Sequence, residues 1–170
     1  MDGTGAIPLD AETKAAERPA DHKAELRLWL RLLACTNLIE NDIRRRLREA
    51  FAVTLPRFDL MAQLDKNPGG MTLGELSSRM MVTNGNVTGL CDRLVEQGLV
   101  ARRPSPRDRR AQLVSLTPEG RRAFRVMART HEGWIAEIFA GLTAAETEAL
   151  MKLLAKTKAS VIRARQGGTP

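Results

Sequence analysis

Tyrosine is absent from this 170-residue chain, and aromatic residues make up only 4% of it. A core this poor in rings has to be built from Leu, Val, Ile, Met and Ala, a composition that favours helices. No run of roughly 18 apolar residues occurs, so no transmembrane helix is expected. The opening stretch MDGTGAIPLDAETKAAERPAD is small, polar and charged. It lacks the apolar centre of a signal peptide, and the chain is read as cytoplasmic. The two cysteines, Cys35 and Cys91, are then expected as reduced thiols and not as a disulfide. Two histidines, His22 and His131, are too few to build a metal site without several carboxylates. The sequence contains no G-x-S-x-G, P-loop, H-E-x-x-H or paired Cys/His array, so neither an enzyme nor a cofactor is expected.

What the chain does have is positive charge. Its formal net charge is +7 at pH 7, with 27 Lys and Arg against 20 Asp and Glu. That balance points to a polyanionic partner, a nucleic acid or an anionic membrane surface. An apolar content of 43% suffices for the core of one domain.

Residues 1–20 are expected to be a disordered tail, because they carry too little apolar surface to offset the entropy of ordering. From Asp21 a helical pattern runs to about Ala50, with Leu26, Trp29, Leu30, Leu33, Ile39, Ile43 and Leu47 at three- and four-residue steps. It is more apolar than one face of a monomer core requires, which hints at a partner helix or a second subunit. A second helix is expected over 54–65, with Phe58, Leu60, Met61 and Leu64 inward, closed by Asn67-Pro68-Gly69-Gly70. Thr72 and Glu75 form a capping box that opens a short helix to about Met80. Thr83 caps the next helix, which runs to Gln97, and Gly98 stands where a terminating glycine belongs. Thr117-Pro118 starts a long helix to about Ala140. Thr143 and Glu146 make a second capping box for a last helix to about Arg165, and residues 166–170 are expected to fray.

Between Val100 and Leu116 lies a β-hairpin: a strand over 100–103, a Pro- and Arg-rich turn over 104–110, and a strand over 112–116. Arg102 or Arg103 stands at its base, and Arg107, Arg109 and Arg110 crowd its tip with only Asp108 to offset them. Like charges so concentrated call for an anionic partner. The helix before the hairpin supports DNA in that role. Its inward stripe is Val87, Leu90, Cys91, Leu94 and Val95, and the preceding short helix buries Leu73, Leu76 and Met80. Its outward face carries Asn84, Asn86, Thr88, Gly89, Asp92 and Arg93, with Thr83 at its start. Short amide and hydroxyl side chains permit close approach to a major groove and can bond base edges. Taken alone, such a face is more often simply solvated. A short helix, a turn, a helix and then a basic two-stranded hairpin together make a winged helix-turn-helix, whose wing can place arginine in a narrow minor groove.

These residues resemble the MarR (multiple antibiotic resistance regulator) family of bacterial transcription factors. The resemblance rests on the wing Arg107-Asp108-Arg109-Arg110, similar to the family's D-x-R core, and on Leu116-Thr117-Pro118-Glu119-Gly120, similar to its L-T-x-x-G. Leu73-Gly74-Glu75-Leu76, Val87 to Leu94 and Gln97-Gly98-Leu99-Val100 match its helix-turn-helix and the entry to its wing. The similarity spans about residues 26–165.

The resemblance implies a mainly α fold with a small β-hairpin: a winged helix-turn-helix domain over 21–165 with N- and C-terminal dimerisation helices. The DNA-binding lobe would be 54–116 and the dimerisation helices 21–50 and 118–165. It also implies a homodimer on a pseudo-palindromic double-stranded DNA operator. The DNA-binding residues would be Thr83, Asn84, Asn86, Thr88, Arg93, Arg103, Arg107, Asp108, Arg109 and Arg110. Strand alternation points Arg109 and Arg110 to opposite faces. One would insert and the other pair with Asp108 or a phosphate, and either assignment fits.

Members of the family usually release DNA when a small molecule, often an aromatic acid, or an oxidant acts on them. A pocket between dimerisation helices and lobe would involve Trp29, Leu33, Asn37, Arg44, Arg57, Phe58 and Met61, with Trp134 nearby. For the apolar members, ordinary core is the simpler reading. The run Arg44-Arg45-Arg46 with Arg48 reads first as a solvated face, and second as a contact for DNA phosphates or for those of a CoA thioester. The stretches around 55–64 and 78–86 resemble family members that control aromatic or hydroxycinnamate catabolism. The alternatives are a cysteine-based redox sensor and a non-specific architectural DNA-binding protein. The family's oxidant sensors carry tyrosines beside the first-helix cysteine, and this chain has none.

Overall fold

A computed structural model describes residues 23–105 and 111–167. The N-terminal tail and the wing-tip residues Arg107, Asp108, Arg109 and Arg110 lie outside the described residues. The elements run α1 (Ala24–Phe51), α2 (Leu55–Asp65), β1 (Met71–Thr72), α3 (Leu73–Met80), α4 (Asn84–Glu96), β2 (Val100–Pro104), β3 (Gln112–Leu116), α5 (Pro118–Ile138) and α6 (Ala144–Gly167). The fold is mainly helical with one small antiparallel sheet. The chain divides into two compact units, the first ending at His131 and the second beginning at Glu132.

In the first unit the core is aliphatic. Leu47, Leu60, Met61, Leu64, Leu76, Val87, Cys91 and Val114 are fully buried. Each such Leu contributes roughly 1.5–3 kcal/mol relative to exposure, so the C-terminal end of α1 is held to the lobe mainly through Leu47 and Ile43. The few rings sit together: Phe58 lies 5.4 Å from Phe124 and 4.8 Å from His131, centroid to centroid. His131 is therefore a packing residue.

The sheet has three strands in the order β1-β3-β2, where the sequence pointed to a two-stranded hairpin. The added strand is only two residues long, too short for any alternation to appear. Met71 pairs with Val114 and Thr72 with Leu113, and Met71 is buried. Gly70 adopts φ +86°, and a Cβ there would stand 3.1 Å from the Val114 carbonyl oxygen, so the turn into β1 requires glycine.

Both expected capping boxes form. Glu75 N–H donates to Thr72 Oγ1 at 3.2 Å while Thr72 N–H donates to Glu75 Oε2 at 2.7 Å. Thr143 and Glu146 repeat the arrangement at the start of α6. The hydrogen bonds from Thr143 hold the Glu146 carboxyl below its ordinary range. Other boundaries move slightly. α5 ends at Ile138, where Phe139 to Leu142 close a turn, and α6 continues through Gln166 to Gly167, two residues beyond the expected end. The inward stripe is narrower than expected: Leu73, Met80 and Leu90 are half-buried, and Val95 is exposed.

The turn between α3 and α4 is unusual for its residue. Met81 sits in the left-handed region at φ 55° and is 91% exposed. A side chain in that conformation costs about 1 kcal/mol or more, and an exposed Met recovers little by packing. Met81→Gly is expected to raise stability by roughly 0.5–1 kcal/mol, read as a higher melting temperature. An unchanged or lower melting temperature would contradict the assigned backbone.

Apolar surface is left over, as the composition of the first helix anticipated. Leu26, Leu28, Trp29, Leu33 and Leu38 of α1 are exposed. In the second unit no side chain described on α6 is buried, and Leu150, Met151, Leu153, Leu154, Val161 and Ile162 all face outward.

Candidate nucleic-acid interface

Thr83 opens α4 as its N-cap, accepting a long hydrogen bond of 3.5 Å from Asn86 N–H. Thr88 donates its hydroxyl to the Asn84 carbonyl oxygen at 2.9 Å. Both hydroxyls are thus partly used by the helix itself. The side chains of Asn84, Asn86 and Arg93 are exposed and carry no internal hydrogen bond or ion pair among the described residues. Asn84 and Asn86 stand in the first turn of α4 and Arg93 in its last, and free donors near a helix N-terminus are what base-edge recognition needs. The opposite face is anchored by Val87, Cys91 and Leu94, all buried. Burial pushes the Cys91 thiol up to about 11, with nearby Arg102 working against that shift. At neutral pH Cys91 is therefore a protonated core residue and no nucleophile.

The wing stands directly beside this helix. β2 and β3 pair over five positions, from Val100 with Leu116 to Pro104 with Gln112. Ser105 N–H then donates to the Ala111 carbonyl oxygen at 2.9 Å, extending the ladder to the edge of the described residues. Two wing arginines are engaged internally. Arg102 Nη2 lies 2.6 Å from Asp92 Oδ1 of α4. Arg103, expected at the DNA, donates to the Gly69 carbonyl oxygen at 2.6 Å. Sequence reasoning overlooked the Asp92–Arg102 pair, although an acid on an otherwise neutral and basic helix face was the signal for it.

At its far end the hairpin returns under the exit of α4. Gly98 adopts φ +69° and terminates that helix. Thr117 N–H donates to the Leu99 carbonyl oxygen at 3.0 Å, and Thr117 Oγ1 donates to that of Gly98 at 2.7 Å. The same Thr117 oxygen accepts from Gly120 N–H at 2.9 Å. Here the L-T-x-x-G pattern has a physical reason. Threonine caps α5 and fastens it to the recognition-helix exit, and glycine lets the two backbones touch.

The seven residues expected around an effector are not brought together in the chain. Phe58 and Met61 are core, and Trp29, Leu33 and Asn37 are exposed on α1. Arg44 lines a cleft of about 350 Å³ with Glu40, Asp59 and Arg79. Burial raises the Asp59 carboxyl there, and Arg44 partly offsets it. Arg57 lines a different, more apolar cleft of about 430 Å³ with Val53, Leu99, Val126 and Met127, and donates to Gln97 Oε1. A third, of about 360 Å³, lies along α4 between Pro56, Asn86, Leu90 and Arg93. Trp134 belongs to the second unit.

The basic run on α1 is largely neutralised by its own helix. Arg44 pairs with Glu40, Arg45 with Asp42 and Glu49, and Arg46 with Asp42 at 2.7 Å. The hydrogen bond from Arg45 is the main reason the Asp42 carboxyl lies below its ordinary range. The spacing of these acids, three or four residues from each arginine, was readable in the sequence.

A short helix, a left-handed turn, a helix with free polar donors and an antiparallel wing define a winged helix-turn-helix DNA-binding regulator. Comparison with known proteins agrees. Residues 53–111 match the MarR_2 profile of the MarR family. Transcriptional activatory protein BadR of Rhodopseudomonas palustris is 36% identical over 119 residues, covering 68% of this chain and 67% of that protein. YsmB of Bacillus subtilis, an uncharacterized HTH-type transcriptional regulator, is 31% identical over 82% of this chain and 92% of its own length. Among solved structures, a MarR family transcriptional regulator from Silicibacter pomeroyi aligns with a TM-score of 0.69 at 32% identity, covering 81% of this chain and 94% of that one. A mutant MarR from E. coli complexed with operator DNA gives 0.69 at 27% identity over 78% and 95%. The chain belongs to the MarR family. It is a DNA-binding transcriptional regulator and not an enzyme.

Proposed function

We propose that this regulator binds a pseudo-palindromic operator as a homodimer and is released by a small aromatic acid or its CoA thioester. In this reading it is a cytoplasmic repressor of aromatic catabolism. The observation that carries the DNA-binding geometry is the set of uncommitted polar side chains on α4, where Asn84, Asn86 and Arg93 are exposed on the helix that packs against the wing. That helix enters the major groove, with Thr83 and Thr88 as secondary contacts, and Arg107, Arg109 and Arg110 serve the adjacent minor groove. Exposed Leu and Val residues on α1 and α6 support a second copy as their cover. Two lobes then read half-sites roughly 10 bp apart. The mostly apolar cleft beside Arg57 offers an aromatic carboxylate a cation and an apolar wall.

The test is binding to the regulator's own upstream intergenic DNA at fixed salt, against random duplex, titrated with a hydroxycinnamoyl-CoA and with the matching free acid. A preference of about 10³ or more for the intergenic DNA, lost on adding thioester or acid, is expected. Equal binding to both duplexes would make the protein an architectural DNA-coating protein. Retention of DNA with both compounds would remove the aromatic effector. A reporter with the gene deleted reads the sign. Transcription should rise, and a fall would assign the activating role that the name of the Rhodopseudomonas relative carries.

A further inference from the structure

β2 alternates its side chains, so Val100 and Arg102 share one face while Ala101 and Arg103 share the other. Val100 is 2% exposed and anchors the base of the wing in the core. Two residues on, Arg102 meets Asp92 of the recognition helix at 2.6 Å. From the opposite face, Arg103 reaches the Gly69 carbonyl oxygen in the turn before β1 at 2.6 Å. The wing strand is thus held from both sides at mid-length. A two-stranded hairpin fixed only at its base twists easily. Asp92 also stands next to Arg93 on a helix that approaches phosphates, where an unpaired carboxylate would repel them.

We propose that Asp92 and Arg102 form a positioning clamp, which sets the angle of the wing against the recognition helix and engages Arg102 inside the protein instead of on DNA. The inference rests on the reading that α4 and the wing bind one operator half-site together. Arg102 is a positioning residue, and its loss acts through the placement of the wing.

The experiment compares wild type, Asp92→Ala and Asp92→Glu in two measurements. One is amide hydrogen exchange over residues 100–104 in the DNA-free protein. The other is the ratio of affinities for the upstream intergenic DNA and for random duplex at fixed salt. Asp92→Ala is expected to speed exchange in the wing strand and to lower the ratio by about fivefold, as befits an ion pair of modest strength. Asp92→Glu, which keeps the carboxylate, should recover both to within about twofold. Faster exchange with an unchanged ratio would overturn the proposal, because the clamp would then be irrelevant to DNA. A lower ratio with unchanged exchange would also overturn it, because Asp92 or Arg102 would then act at the DNA itself. If wild type shows no preference for the intergenic DNA, the interface reading fails. The exchange measurement alone then decides whether the clamp exists.

Discussion

Gly120→Ala is expected to unfold or severely destabilise the DNA-binding lobe, by more than about 3 kcal/mol. A Cβ at this position would lie 1.9 Å from the Leu99 carbonyl oxygen, 2.8 Å from its carbon and 3.1 Å from its Cα. All three atoms are backbone, so no rotamer relieves the clash. The Leu99 carbonyl oxygen also accepts from Thr117 N–H, so retreating from the methyl group would break that bond as well. Alanine in place of a helical glycine ordinarily gains up to about 1 kcal/mol, and that gain is outweighed several-fold here. Gly74→Ala is the matched control, since a Cβ on that residue would meet nothing within 4 Å. It should be neutral or mildly stabilising. Urea unfolding followed by circular dichroism measures both. A Gly120→Ala midpoint equal to that of wild type would show that the two backbones do not pass as closely as described.

The second large effect is expected at the wing tip. Replacing Arg109 and Arg110 together by Ala should weaken operator binding by roughly 1–3 kcal/mol for each arginine that bonds the DNA specifically. The ladder that leads to the tip is complete through the Ser105–Ala111 hydrogen bond. Arg102 and Arg103 bond Asp92 and Gly69 at the middle of β2. Under the proposed interface, the remaining wing cations available for DNA are Arg107, Arg109 and Arg110. A salt series separates the modes of binding. Each phosphate that is no longer neutralised lowers the slope of log affinity against log salt by about 0.9. An arginine that reaches the bases in the minor groove should also change the ranking of operator variants. Unchanged affinity across the series would take the tip out of the interface.

Much of this arrangement was legible in the chain, for reasons that differ from element to element. Thr72, Thr83, Thr117 and Thr143 mark helix starts because a hydroxyl before an orphan N–H is a local device, complete within four residues. Buried Phe58, Leu60, Met61 and Leu64 were readable because a dense apolar run leaves few alternative faces. β1 was not readable, since two residues carry no period and their pairing partner lies over forty residues away. Arg103 was expected at the DNA because charge near a wing looks alike whether it is directed outward or inward. Only its position on the face opposite Arg102 sends it to Gly69. The effector residues were the hardest to place. They were gathered by resemblance, and a single chain divides them between core, exposed helix and separate clefts.

The hydrogen bonds of Thr117 carry a mechanical consequence. The last turn of the recognition helix and the first turn of α5 share one oxygen-and-amide knot, formed by Gly98, Leu99, Thr117 and Gly120. Neither helix can tilt independently at that joint without breaking backbone contacts. A force applied to the start of α5 is therefore transmitted to the exit of α4, as a lever carries its tip.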